Sequence, residues 1–177
     1  GCSCGGGAAM APSVIRELSS YLPPLSMDGD LLTKIKLFDF GDLEKCENYF
    51  TLLKEEAYKR LNLNKFPIFI GGDHSVSIPL EAAFFDWCVE NNKIPAIIHL
   101  DAHPDICDFY DGSIYSHACT NKRSIDYGYK PEDVVLFISN KLASELDVEV
   151  LASAFNMDKA DLMGKVYYVD NFDIYDD

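Results

Sequence analysis

The sequence predicts a three-layer α/β/α domain on a mainly parallel sheet, and three features carry that expectation. Short, almost wholly apolar runs recur along the chain, and such runs suit strands buried on both faces of a parallel sheet. Segments of helical periodicity separate them, which is the strand–helix alternation of an α/β fold. Polar clusters directly follow two of the runs, at the sheet edge where open parallel sheets bind ligands. Right-handed crossovers would place helices on both faces of such a sheet.

The first helix is expected over residues 11–21 (APSVIRELSSY), with Pro12 near its start, where a missing N–H does no harm. A strand is expected at 35–40 (IKLFDF). Leu43, Cys46, Phe50, Leu53, Ala57 and Leu61 then fall on one face of a second helix. Residues 66–70 (FPIFI) read as the next strand. Ser77 is placed to cap a helix that carries Pro79 in its first turn and runs to about Asn91. Strands are expected at 95–100 (PAIIHL), 134–138 (VVLFI) and 166–169 (VYYV), with weaker helices at 118–125 and 142–154. No repeat, low-complexity tract or linker divides the 177 residues, so one domain is expected.

Composition narrows the function classes. Apolar residues make up 48% and charged residues 25%, as in ordinary globular proteins. The net charge of -14 argues against a nucleic-acid partner. It suits a small cationic substrate, although a solvated acidic surface accounts for it as well. No run is long enough to span a bilayer and no signal peptide is visible, so no membrane partner and a cytoplasmic location are expected. The six cysteines form no CxxC pair and read as reduced; Cys2-Ser-Cys4 has no second pair with which to hold a metal. The chain starts at Gly1 without methionine and stops in the acidic stretch 173–177, which reads as a fragment of something longer.

The chemistry concentrates at two strand ends. FPIFI is followed by Gly71-Gly72-Asp73-His74-Ser75, and PAIIHL by Asp101-Ala102-His103-Pro104-Asp105. Residues two apart in extended chain point the same way, so Asp101, His103 and Asp105 can converge on one point. His74 can reach that point from the neighbouring loop, where Gly71 and Gly72 allow a tight turn. This oxygen-and-nitrogen donor set without thiolate suits Mn²⁺ or a similar divalent ion. A carboxylate can also bridge two ions, giving the paired-metal clamp used in hydrolysis. Asp-x-His-x-Asp alone could be a polar strand end with local caps; the second cluster makes metal binding the better reading.

GGDHS together with DAHPD resembles the ureohydrolases, the family of arginase and agmatinase. GGGAAMAPSVIRE near the start is similar to that family's glycine-rich loop and first helix, and Ser116-His117-Ala118 resembles its "SHA" or "SHG" segment. The resemblance implies an arginase-like fold and two manganese ions per complete active site. It implies His74, Asp101 and Asp105 on one ion, and Asp101 and His103 on the other, with Asp101 bridging. Asp105 would also accept a hydrogen bond from the nucleophile. His117 would line the substrate channel and move protons, though it could instead steady the following helix. Asp73 and Ser75 would orient His74. The implied reaction splits a guanidino compound into urea and an amine, and the implied assembly is a homo-oligomer, trimer or hexamer. The segment DICDFYDGSIYSHAC looks more like agmatinases than arginases, so agmatine, giving putrescine and urea, is the favoured substrate; arginine or another guanidino compound stays open.

The resemblance also breaks. The family's later "SxDxDxxDP" strand, which provides two more carboxylates, is missing, and Asp170-Asn171-Phe172-Asp173 spaces its acids three apart rather than two. The chain is therefore expected to be the N-terminal portion of a ureohydrolase, inactive by itself, retaining the ion with three protein ligands better than the other. Two competitors remain: a zinc deacetylase of related fold, against which GGDHS argues, and a non-catalytic metal-binding or scaffold protein with an incomplete site.

Overall fold

A computed structural model describes residues 6–26, 28–43, 46–138, 152–153 and 166–168. A 3-10 turn, Gly6–Met10, leads into α1 (Ala11–Ser19), and α2 (Tyr49–Leu61) and α3 (Ser77–Glu90) follow. The first strand, β1 (Ile97–Asp101), precedes α4 (Thr120–Tyr127), β2 (Val134–Ile138) and β3 (Val166–Tyr168). The three strands form one parallel sheet in the order β1-β2-β3. The register sets Ile97 beside Val134, His99 beside Leu136 and Leu136 beside Val166.

Two expected strands are not strands. Residues 35–40 and 66–70 carry no ladder hydrogen bonds, and Leu37, Phe38, Phe66 and Ile68 are exposed. An apolar run becomes a strand only where another chain segment accepts its backbone bonds. Asp39, in the first run, instead receives the Arg16 guanidinium of α1 at 2.6 Å, with Asp42 at 2.8 Å. The second run contains Pro67, which removes one ladder donor. The expected helix 142–154 is described only at 152–153, which are helical. Val169, Asp170, Asp173, Cys2 and Cys4 lie outside the described residues. Cys46, Cys88 and Cys119 are free thiols.

The helices follow their patterns with corrections at the ends. α1 carries Pro12 in its first turn and ends at Ser19, and none of its residues is buried. α2 starts at Tyr49, so Leu43 and Cys46 precede the helix, while Leu53 and Ala57 are its buried contacts. Ser77 is not the capping residue: a 3-10 turn, His74–Val76, feeds directly into α3. Asp73 does the capping, its carboxylate accepting the Ser75 N–H at 3.1 Å. α3 packs against both α2 and α4. α4 stops at Gly128, whose φ of 135° no side chain adopts readily. A Cβ there would also meet the Phe85 ring at 2.7 Å.

The two faces of β1 differ. Ile97 and His99 are buried, as are their neighbours Val134 and Leu136. Ile98 and Leu100, on the opposite face, are 71% and 74% exposed. The covered face runs on to Asp101 at the carboxyl end of the strand, and His74 approaches that same end from the turn before α3. No helix among the described residues is long and apolar enough to cross a membrane.

Candidate metal centre

His74 comes to the sheet edge on a tightly built turn. Gly71 is required by packing: a Cβ there would run into the Val76 side chain. Gly72 meets only ordinary contacts, and neither glycine has positive φ, so close approach rather than an unusual turn explains Gly71. Asp73 also accepts the Ser75 hydroxyl hydrogen. Asp73 and Ser75 thus bond to each other across His74, and they steady its ring through the backbone.

Opposite His74 stand two carboxylates. His74 Nδ1 lies 2.6 Å from Asp105 Oδ2 and 3.5 Å from Asp101 Oδ2. The Asp105 hydrogen bond, more than the neighbouring charges, raises the His74 pKa, while burial opposes it. Asp105 is only 7% exposed. It does not reach this position by strand alternation, because β1 ends at Asp101. Beyond Pro104, Asp105 adopts φ 49°, a left-handed conformation that costs a non-glycine residue roughly 1–2 kcal/mol.

His103 departs from the expected convergence. Its Nδ1 is 3.8 Å from Asp101 Oδ1 and its side chain is 64% exposed, so it lies on the outer side of Asp101. Its backbone N–H donates to the same Oδ1 at 2.9 Å. In its stead, His99 joins the cluster: donor atoms of His74, His99, Asp101 and Asp105 all lie within 4.8 Å of one another. His99 stacks on His74, with ring centroids 5.0 Å apart, and its Nε2 donates to the His103 carbonyl at 3.0 Å. Burial lowers its pKa, which favours the neutral form of the ring. The sequence carried the signal for it, since His99 is two residues before Asp101 on the same strand face.

His117 opens a 3-10 turn, His117–Cys119, that packs against the turn of His74. Its Nδ1 is 3.3 Å from Ser116 Oγ and its ring meets Tyr110 edge-on. An open cleft of about 480 Å³ runs past Gly72, His74, Glu81, His99 and Asp101.

The donors fit a divalent cation. Two carboxylates and two imidazoles form an oxygen-and-nitrogen set without thiolate, of the kind divalent first-row ions take. The ion pairs of Asp101 and Asp105 among the described residues are to histidines alone, which leaves their charge open to a cation. The proton shared by His74 and Asp105 marks the place where a cation would exchange for it.

Glu81, another carboxyl behind His74, was not anticipated. Burial raises its pKa above the usual 4.5, against the opposing hydrogen bond from the Ser124 hydroxyl. A carboxyl with a raised folded pKa stabilises the fold fully below 4.5 and loses that contribution as pH climbs through the raised value. Glu81→Gln should therefore raise the melting temperature of the metal-free protein at neutral pH, with the gain vanishing below 4.5. Thermal melts at the two pH values check this, and equal differences at both would refute it.

The arginase family model matches residues 1–173. An agmatinase of Bacillus cereus is 33% identical over 141 residues, covering 74% of this chain and 45% of its own length. Arginase 1, mitochondrial, of Oryza sativa subsp. indica is 44% identical over 86 residues, 47% of this chain and 22% of that protein. The crystal structure of a putative agmatinase from Clostridium difficile superposes with a TM-score of 0.70 at 27% identity, covering 92% of this chain and 55% of that one. This chain thus spans about half the length of the relatives it matches. With the family model matching nearly end to end, and His74, Asp101 and Asp105 gathered at one strand end, the chain belongs to the arginase family.

Proposed function

We propose that the full-length protein is a manganese-dependent ureohydrolase that converts agmatine to putrescine and urea. The gathering of His74, Asp101 and Asp105 donors around one point carries the reading. His74, Asp101 and Asp105 would hold one Mn²⁺, and Asp101 and His103 would hold the second, with further ligands needed from elsewhere. When bound, the paired cations supply Lewis acidity and activate water as a nucleophile near neutral pH.

The chain's own residues then have distinct tasks. Asp101 sets the spacing of the two positions through its two oxygens, one toward His74 and one toward His103. Asp105 accepts a hydrogen bond from the attacking water and orients it toward the planar guanidinium carbon. His117 moves a proton to the leaving nitrogen, so that the amine departs neutral. Asp73 and Ser75 hold the His74 turn still while this happens. A cytoplasmic homo-oligomer, trimer or hexamer, completes the proposal, in keeping with the family resemblance.

Agmatine is favoured because similarity to the Bacillus cereus agmatinase covers more of the chain than similarity to the rice arginase. The higher identity of the arginase stretch keeps arginine as the second reading. Urea release by the full-length protein with Mn²⁺, agmatine and arginine side by side, tests both. Urea from agmatine alone is the expected result; urea from arginine alone would reverse the substrate. Mn²⁺ binding without urea from either would mean a different guanidino substrate or a non-catalytic protein.

A further inference from the structure

The Asp105 corner is gripped twice by a residue that no part of the reaction uses. Asn121 lies in the first turn of α4 and is 1% exposed. Its side-chain Nδ2 donates to the Pro104 carbonyl at 2.8 Å, and its backbone N–H donates to the Asp105 carbonyl at 3.0 Å. The two bonds grip the consecutive carbonyls on either side of the left-handed turn at Asp105. A third bond, from Cys107 N–H to the Ala118 carbonyl at 2.9 Å, closes the loop beyond it. The amide oxygen of Asn121 is buried without a hydrogen-bond partner. Only the donor half of the side chain is used, and an apolar side chain of similar size would leave no such orphan acceptor. Its place in a fully buried spot is thus explained by what it does to Pro104 rather than by packing.

We propose that Asn121 is a positioning residue: its paired hydrogen bonds lock the Pro104–Asp105 corner so that the Asp105 carboxylate lies on His74, ready to share a cation. Without the amide, the non-glycine residue at φ 49° loses one of the contacts that over-determine it, and the corner can relax toward ordinary backbone. Asp105 then turns away from His74 for part of the time. The inference rests on the metal-site reading above.

The test uses the full-length protein and Mn²⁺ alone, with binding followed by the electron paramagnetic resonance of free Mn²⁺. Asn121→Leu removes the donor at similar volume, and Asn121→Asp removes it at equal shape. Leu53→Ala, at a buried position of α2 outside the metal cluster, serves as a destabilised control. Both Asn121 variants should bind Mn²⁺ about 10-fold to 100-fold more weakly, as loss of a ligand-supporting bond does. Leu53→Ala should lower the melting temperature at least as much as Asn121→Leu and leave Mn²⁺ affinity unchanged. Wild-type affinity in a folded Asn121→Leu or Asn121→Asp protein overturns the inference while leaving the metal site intact. An equal loss of affinity in Leu53→Ala overturns it too, by showing a general effect of stability. A wild-type protein that binds no Mn²⁺ overturns the site reading itself and the inference with it.

Discussion

Asp101→Asn should weaken Mn²⁺ binding by more than about 100-fold and take urea release with it. Supporting residues around metal ligands are worth about 10-fold to 100-fold, and Asp101 is the residue proposed as a ligand to both ions. One of its oxygens lies 3.5 Å from His74 Nδ1 and the other 3.8 Å from His103 Nδ1. Asparagine keeps the shape and one carbonyl oxygen, so the backbone bond from His103 N–H can persist. The loss should therefore fall on the cation and not on the fold. Mn²⁺ titration beside a melt of the metal-free variant separates the two. Unchanged Mn²⁺ affinity would remove Asp101 from the site.

Leu136→Ala should cost the fold roughly 2–5 kcal/mol, the range for emptying a buried leucine position. Leu136 is 2% exposed in the middle of β2, the central strand, with His99 on one side and Val166 on the other. A cavity there cannot close by a surface shift, because the strand is bonded on both edges. Denaturant unfolding measures the loss directly. A change under about 1 kcal/mol would mean the position is far more relaxed than its burial indicates.

The strands that pair are legible in the sequence, and the reason is local. Val134–Ile138 and Ile97–Asp101 are runs whose apolar residues outnumber anything polar, and each finds a neighbour. Residues 35–40 and 66–70 have the same composition but no ladder partner among the described residues, and composition alone cannot reveal whether a partner exists. α3 is legible through its periodicity, yet its start is displaced because Asp73 caps a 3-10 turn that no spacing rule announces.

The site is legible as a set of residues more than as a geometry. His74, Asp101 and Asp105 do meet, as the spacing of GGDHS and DAHPD suggests. The means differ: Asp105 arrives through a left-handed turn gripped by Asn121, a contact between residues well apart in sequence. His99 joins the cluster where His103 was expected, since the strand ends at Asp101 and the period of two applies backward from it rather than forward. Glu81 is invisible to motif reading because its burial depends on how α4 packs on α3.

The bare face of β1 has a consequence for how this polypeptide behaves in solution. Ile98 and Leu100 stand exposed on the edge strand of the described sheet, next to backbone groups that a second molecule could pair with. A charge of -14 keeps copies apart at low ionic strength. Salt shortens the reach of that repulsion to about 10 Å at 0.1 M without screening hydrophobic contact, which kosmotropic salts strengthen. For these 177 residues, then, added salt shifts the colloidal balance from dispersal toward clumping, the reverse of what it does to a protein held together by surface charge pairs.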